Sequence, residues 1–474
     1  MCCFAIGPRA ACFKETDMPI AVTLKREFDL IATDADNNPC IFPRDPSNQI
    51  FVDAFAFKTK NIDDTQPTRY LAFPFVVKIG SSLVGIFSDN DAHAVGSSGQ
   101  WMIRSDDDGQ TWQKVKFFAS AAPAVFDTSL LQTLLSPGQS VVLKIWTVKN
   151  NAGVLTVTSQ STASLGGNVY SLWSKAVPAP GGNLWRTGYT TVAGDTQTAL
   201  FQSADGGVTW TGVSVIFSGA AKRFTEADVI NLNGTAWLSL AREDNTSATA
   251  NSVYFSISSD DGVTWAAPVL LNSAKVNGRQ PNLTKTTDGN IVFSSADRRP
   301  GSSSYSSSGV ISPFLYDTSG ITVYGKPLVS LTSNPLTTSG GPGTTTVNVF
   351  QDSHGYVTGD VVFIFGATGF DGIPAAELNK FHTITRFNNN IYQITTTTGA
   401  TAGGVSGGGA AVRVYNITQW GWRTRVAGMF STDGGQPYTN EISTPNYVNT
   451  VFYQRRSNAE NPIIASATYY APNL

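Results

Sequence analysis

The stretch Ser203-Ala204-Asp205-Gly206-Gly207-Val208-Thr209-Trp210 decides the fold, because its pattern recurs. One copy is Ser105-Asp106-Asp107-Asp108-Gly109-Gln110-Thr111-Trp112, and another is Ser258-Ser259-Asp260-Asp261-Gly262-Val263-Thr264-Trp265. All read S-x-D-x-G-x-T-W. A single copy would be weak evidence, but repeated matches at the same fixed positions point to a repeat architecture. The residue types suit a hairpin turn. The Asp carboxylate can accept backbone N–H groups across the turn. The Gly can take a positive φ, and the Trp can bury a large apolar area beneath the hairpin. Ahead of each copy stands a strand-like run: Trp101-Met102-Ile103-Arg104, Ala199-Leu200-Phe201-Gln202 and Val253-Tyr254-Phe255-Ser256-Ile257.

Ser203 and Ser258 stand 55 positions apart (258 − 203), close to one four-stranded blade. Ser105 and Ser203 stand 98 apart (203 − 105), close to two, so a blade without the motif is expected over residues 126–175. A degenerate copy runs from Ser431 to Tyr438, with Pro437 and Tyr438 in place of Thr and Trp. It follows Ser258 by 173 positions (431 − 258), too many for two blades without an insertion. Residues 332–346, TSNPLTTSGGPGTTT, read as a linker. The chain from there to 414 alternates strand patterns with turn signals, as a small β-sandwich or barrel would. Subtracting roughly 83 inserted residues leaves roughly 90, near two blades.

The composition agrees with many short strands. Of 474 residues, 41% are hydrophobic and only 14% are charged. The usual charged share is about 25%, and Gly, Ser, Thr and Asn fill the difference. The net charge is −2 and no long Lys/Arg run exists, which excludes an electrostatic case for nucleic acid or for a polybasic membrane contact. No apolar run approaches the roughly 20 residues of a transmembrane helix. Cys2, Cys3, Cys12 and Cys40 show neither a disulfide framework nor metal-ligand spacing, so neither metal nor cofactor is expected. The opening residues lack a basic n-region, and Met18 would be an ordinary start, so residues 1–17 are expected to be an upstream extension of little role.

The repeated motif and the strand runs before it resemble the Asp-box family of sialidases, phage endosialidases and related propellers. That resemblance implies an all-β, six-bladed sialidase-like β-propeller. It divides the chain into an N-terminal attachment segment over 1–65, blades over 66–331, an inserted small β-domain over 332–414 and completion of the ring over 415–474. The strands NTVFYQRRS and PIIASATYY are expected to close it. In the family the boxes lie on the rim away from the active site, so Asp107, Asp205 and Asp260 are expected to be structural. The segment after 346 is similar to β-rich modules of phage tail and connector proteins, on the pattern around His354-Gly355, Gly359-Asp360 and His382-Thr383-Ile384.

The family binds an anionic sugar with an arginine triad, adds a Tyr–Glu pair for nucleophilic attack, and uses an Asp as acid and base. Glu226 opens EADVINLNGTAWLSLAR, which ends at Arg242, 16 positions on (242 − 226), and this resembles the family's catalytic segment. Glu226 would polarise a Tyr or act as base, and Arg242 would grip the carboxylate. In the first blade the expected Arg position holds Ala72. Arg69 could replace it only if the strand bulges. Asp91, or else Asp89, would be the acid/base residue, its pKa raised by partial burial, with His93 beside it. Arg298 with Arg299, or Arg279, would supply the third guanidinium. Tyr305, Tyr438 and Tyr447 are all conceivable nucleophiles. The plain alternative for each is a solvated surface residue.

The expectation is therefore a tail-associated bacteriophage virion protein, made in the host cytoplasm. It would bind an acidic, sialic-acid-like host surface glycan and contact other virion proteins as a homo-oligomer. Hydrolysis by an exo- or endo-sialidase-like glycoside hydrolase site is left open. Secretion is the alternative location. The alternative function is a structural virion component with a degenerate, inactive site.

Overall fold

The computed structural model describes residues 58–63, 69–92, 95–119, 129–192, 195–219, 222–244, 252–271, 279–297, 320–420, 422–428, 435–454 and 461–470, and short strands within residues 2–41. Nearly all of this is antiparallel β-structure, with single-turn helices at Ser129–Gln132 and Ala375–Leu378. No helix among the described residues is long and apolar enough to cross a membrane.

The sheets follow one another along the chain. The first holds Tyr70–Ile79, Ser82–Ala92, Val95–Ser105 and Gln113–Ala119 in that order. The second holds Ser140–Leu143, Trp146–Asn151 and Val154–Ser159. The third runs from Thr162–Leu165 through Asn168–Leu172, Leu184–Val192 and Asp195–Ser203 to Thr211–Phe217. The fourth holds Phe224–Asn233, Ala236–Glu243, Ser252–Ser258 and Val269–Leu270. The fifth holds Arg279–Lys285, Ile291–Asp297, Gly320–Lys326 and Trp422–Gly428. The last joins Gly435–Glu441, Tyr447–Gln454 and Ile463–Tyr470 to Lys58–Asp63.

Apolar layers lie between neighbouring sheets and turn the series into a ring. Met102 and Phe87 of the first sheet share a core with Val148 of the second, and also with Tyr453 and Ile464 of the last. Val142 packs with Phe201 and Trp210, Trp185 with Val229 and Trp237, and Leu240 with Leu283 and Phe293. The fifth and last sheets meet through hydroxyls, with Ser294 and Thr439 2.7 Å apart. A ring of radially packed antiparallel meanders is β-propeller architecture. Burial follows it: every residue of Ala236–Glu243 is buried, whereas Val269–Leu270 at the outer edge is exposed.

The three S-x-D-x-G-x-T-W copies share one geometry. In the second copy Asp205 accepts from Ser203 Oγ at 2.7 Å, Thr209 N at 2.9 Å and Thr209 Oγ1 at 2.6 Å. Gly207 N donates to Ser203 Oγ at 2.7 Å, and Trp210 Nε1 donates to Gly207 O at 3.0 Å. Asp107 and Asp260 accept from the matching Ser and Thr. Burial works against all three carboxylates and is the largest single cause at Asp107 and Asp205, yet their bonds from Thr and Ser hold all three below the ordinary Asp value. Each turn also fastens its sheet to the preceding one. Thr147 Oγ1 donates to Gly207 O at 2.5 Å, Trp265 Nε1 donates to Ser214 Oγ at 3.1 Å, and Trp112 Nε1 donates to Ser466 Oγ at 3.2 Å.

The degenerate copy sits differently. Ser431 to Gly434 lie outside the described residues, and Gly435 to Tyr438 open a first strand instead of joining a third to a fourth. The sequence division at residue 65 also differs from the pairing observed. Lys58–Asp63 adds to Ile463–Tyr470 as the outer strand of the last sheet, because an unpaired ladder edge there is satisfied by the chain from the other end of the sequence.

Within the fifth sheet, Gly320–Lys326 pairs with Trp422–Gly428. The chain between them forms two sheets of its own, one of Val329–Ser330, Arg413–Asn416, Val361–Phe365 and Phe381–Thr383, the other built on Thr346–Phe350 and Ile391–Thr395. Leu336, Val347, Ile364, Tyr392 and Val414 form a separate core between them. Phe363, Tyr415 and Trp420 extend the core shared by the fourth and fifth sheets.

Candidate functional site

First strands carry the site. Their ladders skip two residues each at Phe73-Pro74, Glu226-Ala227, Gln280-Pro281 and Gln436-Pro437. The leading residue of each pair has a left-handed φ: 56° at Phe73, 53° at Glu226, 55° at Gln280 and 46° at Gln436. Such bulges re-aim side chains, and Pro is tolerated where the ladder is interrupted. Ala227, Asp228, Pro281, Pro437 and Tyr438 converge with Trp173 and Ser174 on one small central cavity.

Glu226, the residue before Ala227 in its strand, pairs with Arg242. Arg242 Nη1 donates to Glu226 Oε2 at 2.8 Å and Nη2 to Asp244 Oδ1 at 2.5 Å. The Arg242 side chain is 6% exposed and that of Glu226 is 12% exposed. Burial alone would lower Arg242, but the two carboxylates raise it above the ordinary value.

Lys144 lies within electrostatic reach of Glu226, and Arg186 stands beside Lys144. Arg186 is wholly buried, its Nη1 donates to Lys144 O at 2.8 Å, and its guanidinium lies 5.4 Å from the Trp210 ring. Nε and Nη2 of Arg186 find no partner among the described residues. Burial lowers Arg186 to about 10, with Tyr438 opposing. Burial, reinforced by the Arg186 charge and opposed by Glu226, lowers Lys144 to about 8. Its ammonium lies over the Trp173 ring at 5.4 Å.

Two phenols complete the surroundings. Tyr189 stacks edge-on with Trp173 at 5.6 Å. Burial, then Glu226, pushes its phenol up to about 12. Burial, then Asp228, pushes Tyr438 still higher. Both stay protonated at neutral pH, as hydrogen-bonding groups. Asp228 is raised to about 6 by burial, against Lys175 and the N–H groups of Leu283 and Val229. Asn282 Nδ2 donates to it at 2.9 Å.

The other expected residues lie elsewhere. The strand at Arg69 does bulge, but beyond it, between Ala72 and Phe75. Arg69 pairs with Asp89 at 2.5 Å and with Asp91. The Asp91 side chain is 63% exposed, so the partial burial expected of a proton donor is not present. Asp89 is buried and accepts from Trp101 Nε1 at 3.2 Å. Arg279 is half-buried in its strand, and Tyr447 is half-buried beside the core that the last sheet shares with the first. Arg298, Arg299, His93 and Tyr305 lie outside the described residues. Lys144, Arg186, Tyr189 and Asp244 were not legible in the sequence. Lys144 stands in an ordinary two-residue turn between strands and Arg186 inside a strand, and nothing local marks either. Among the described residues no cluster of three or more His, Cys, Asp or Glu could hold a metal.

No family model and no curated protein matches the chain. Solved structures similar to it include a protein of unknown function from Dyadobacter fermentans, with 13% identity, covering 88% of this chain and 100% of that one at a TM-score of 0.49. The GH93 α-L-arabinofuranosidase of Fusarium graminearum with arabinobiose has 12% identity over 88% of this chain and 98% of its own, at a TM-score of 0.33. The α-L-arabinanase of Penicillium chrysogenum with arabinobiose has 12% identity over 87% and 98%, also at 0.33.

Proposed function

We propose that the protein is a six-bladed propeller with a small β-domain inserted over 332–414, and that its central site binds an acidic glycan. One observation carries the reading: a buried guanidinium, Arg186, keeps two N–H groups unpaired beside Lys144. A buried cation without an anion is costly. A sugar carboxylate entering beside the half-buried Lys144 would pair with its ammonium and give the Arg186 charge behind it a counter-charge. Glu226, Arg242, Asp244 and Tyr189 then face the rest of the ring. What favours binding over hydrolysis is that Arg242 is already committed to two carboxylates and that both phenols are held protonated. The expected setting is a phage tail, on the resemblance of the 346–414 segment to tail and connector modules. Peptides of this chain in purified particles test that setting.

The test of the site is a glycan array together with product release from sialyllactose and polysialic acid. The natural protein should retain acidic glycans without releasing product, and Lys144→Gln and Glu226→Gln should weaken retention. Release that Glu226→Gln abolishes would make the protein a hydrolase. No retention of any acidic glycan would overturn the reading in favour of a purely structural component.

A further inference from the structure

A second cleft lies far along the chain from these residues, where the 326–332 and 416–420 segments meet the loop 350–357. Its volume is about 1320 Å³, above the roughly 300–1,000 Å³ of small-molecule pockets, so it suits an extended ligand. We propose that this cleft binds a neutral oligosaccharide.

The charges lining the floor are internally spent. Lys326 is buried, donates to Asn416 O and to Gln419 O at 2.5 Å, and lies over the Trp420 ring at 4.4 Å. Asp360 is buried and accepts from Val357 N at 3.0 Å, Asn416 Nδ2 at 3.0 Å and Gln419 Nε2 at 2.7 Å. Burial lowers His354 below its ordinary value, so it is neutral at pH 7. Asp352 is exposed at the rim and disfavours an anion.

Among the buried polar atoms of the described lining, one donor and one acceptor have no partner. Trp420 is 8% exposed, and its Nε1 has no partner among the described residues. Gln351 donates through Nε2 to the Tyr356 hydroxyl at 3.0 Å, and its Oε1 has no partner. A hydroxyl both donates and accepts, so a polyhydroxylated ligand serves both groups where an amine or a carboxylate serves one. Phe350, 42% exposed, offers a ring on which the C–H face of a sugar can stack. It also borders a shallower hollow lined by Asn388, Asn389 and Asn390, which continues the amide-rich wall.

The test is a titration followed by tryptophan fluorescence and calorimetry, using neutral linear trisaccharides of glucose, galactose, mannose and arabinose, with sialyllactose as the anionic control. At least one neutral trisaccharide should bind and shift the emission. Phe350→Ala and Gln351→Leu should each weaken it by about tenfold, Phe350→Ala at an unchanged melting temperature. Lys144→Gln should leave this binding unchanged, which separates the cleft from the central site. Binding of none of the four, the outcome if ordered water alone satisfies Trp420 and Gln351, would overturn the proposal. So would binding that neither variant alters.

Discussion

Lys144 is the residue whose charge can be switched under ordinary conditions. Its ammonium is lowered from 10.5 to about 8, so the site carries this cation below about pH 8 and loses it above. Affinity for an acidic glycan should therefore fall as pH rises through about 8, measured by calorimetry in matched buffers. Lys144→Gln should bind about tenfold more weakly at pH 7, on the order of one charge-assisted hydrogen bond, and the fall near pH 8 should vanish. Asp228 gives a signal in stability instead of affinity. Its folded value of about 6 lies above the ordinary 3.8, so the native state keeps a proton that the unfolded chain releases. Its contribution is fully present below the ordinary value and is lost as pH rises to about 6. Lys175, lowered by burial, is the charged group facing it. Urea midpoints of Asp228→Asn should gain on those of the natural protein as pH rises from about 4 to 6, and a constant difference would sink this account.

At the scale of elements, the turn motif is at once a hairpin closure and a fastening between sheets. Asp205→Ala removes the acceptor for Ser203, Val208 and Thr209 and should cost about 1.5–3 kcal/mol, read from chemical denaturation. Gly262 shows why the Gly is fixed. Its φ is 72°, and an added Cβ would stand 2.6 Å from Leu200 Cδ2 and 3.0 Å from Trp185, both in the preceding sheet. Gly262→Ala should therefore lower the melting temperature, whereas Gly234→Ala, at φ 53° with open space around it, should lower it less. Equal losses would show that φ alone decides. The bulges were half legible. Pro74, Pro281 and Pro437 mark positions where a ladder must break, but Glu226-Ala227 adopts the same irregularity without a proline.

At the scale of the whole molecule, Lys58–Asp63 and Ile463–Tyr470 join opposite ends of the described propeller in one sheet. Deleting residues 1–64 should expose a ladder edge and produce a lower melting temperature with aggregation in size-exclusion chromatography. A monomer of unchanged stability would show that the strand is dispensable. The sequence by itself determined the repeat, the turn chemistry of Asp107, Asp205 and Asp260, the all-β character and the placing of Glu226 and Arg242 on adjoining strands, but not that the two pair with each other. Each of these is written in local pattern or in neighbouring strands of one hairpin, where spacing fixes which strands adjoin. Only the tertiary structure decided that Lys144, Tyr189 and Tyr438, from the second, third and last sheets, come within electrostatic reach of Glu226, with Arg186 beside Lys144. Only it turned Arg69 toward Asp89 and Asp91. Residues far apart in the chain become neighbours through ring closure, and a strand's alternation records which face is buried but not which distant charge the burial brings near.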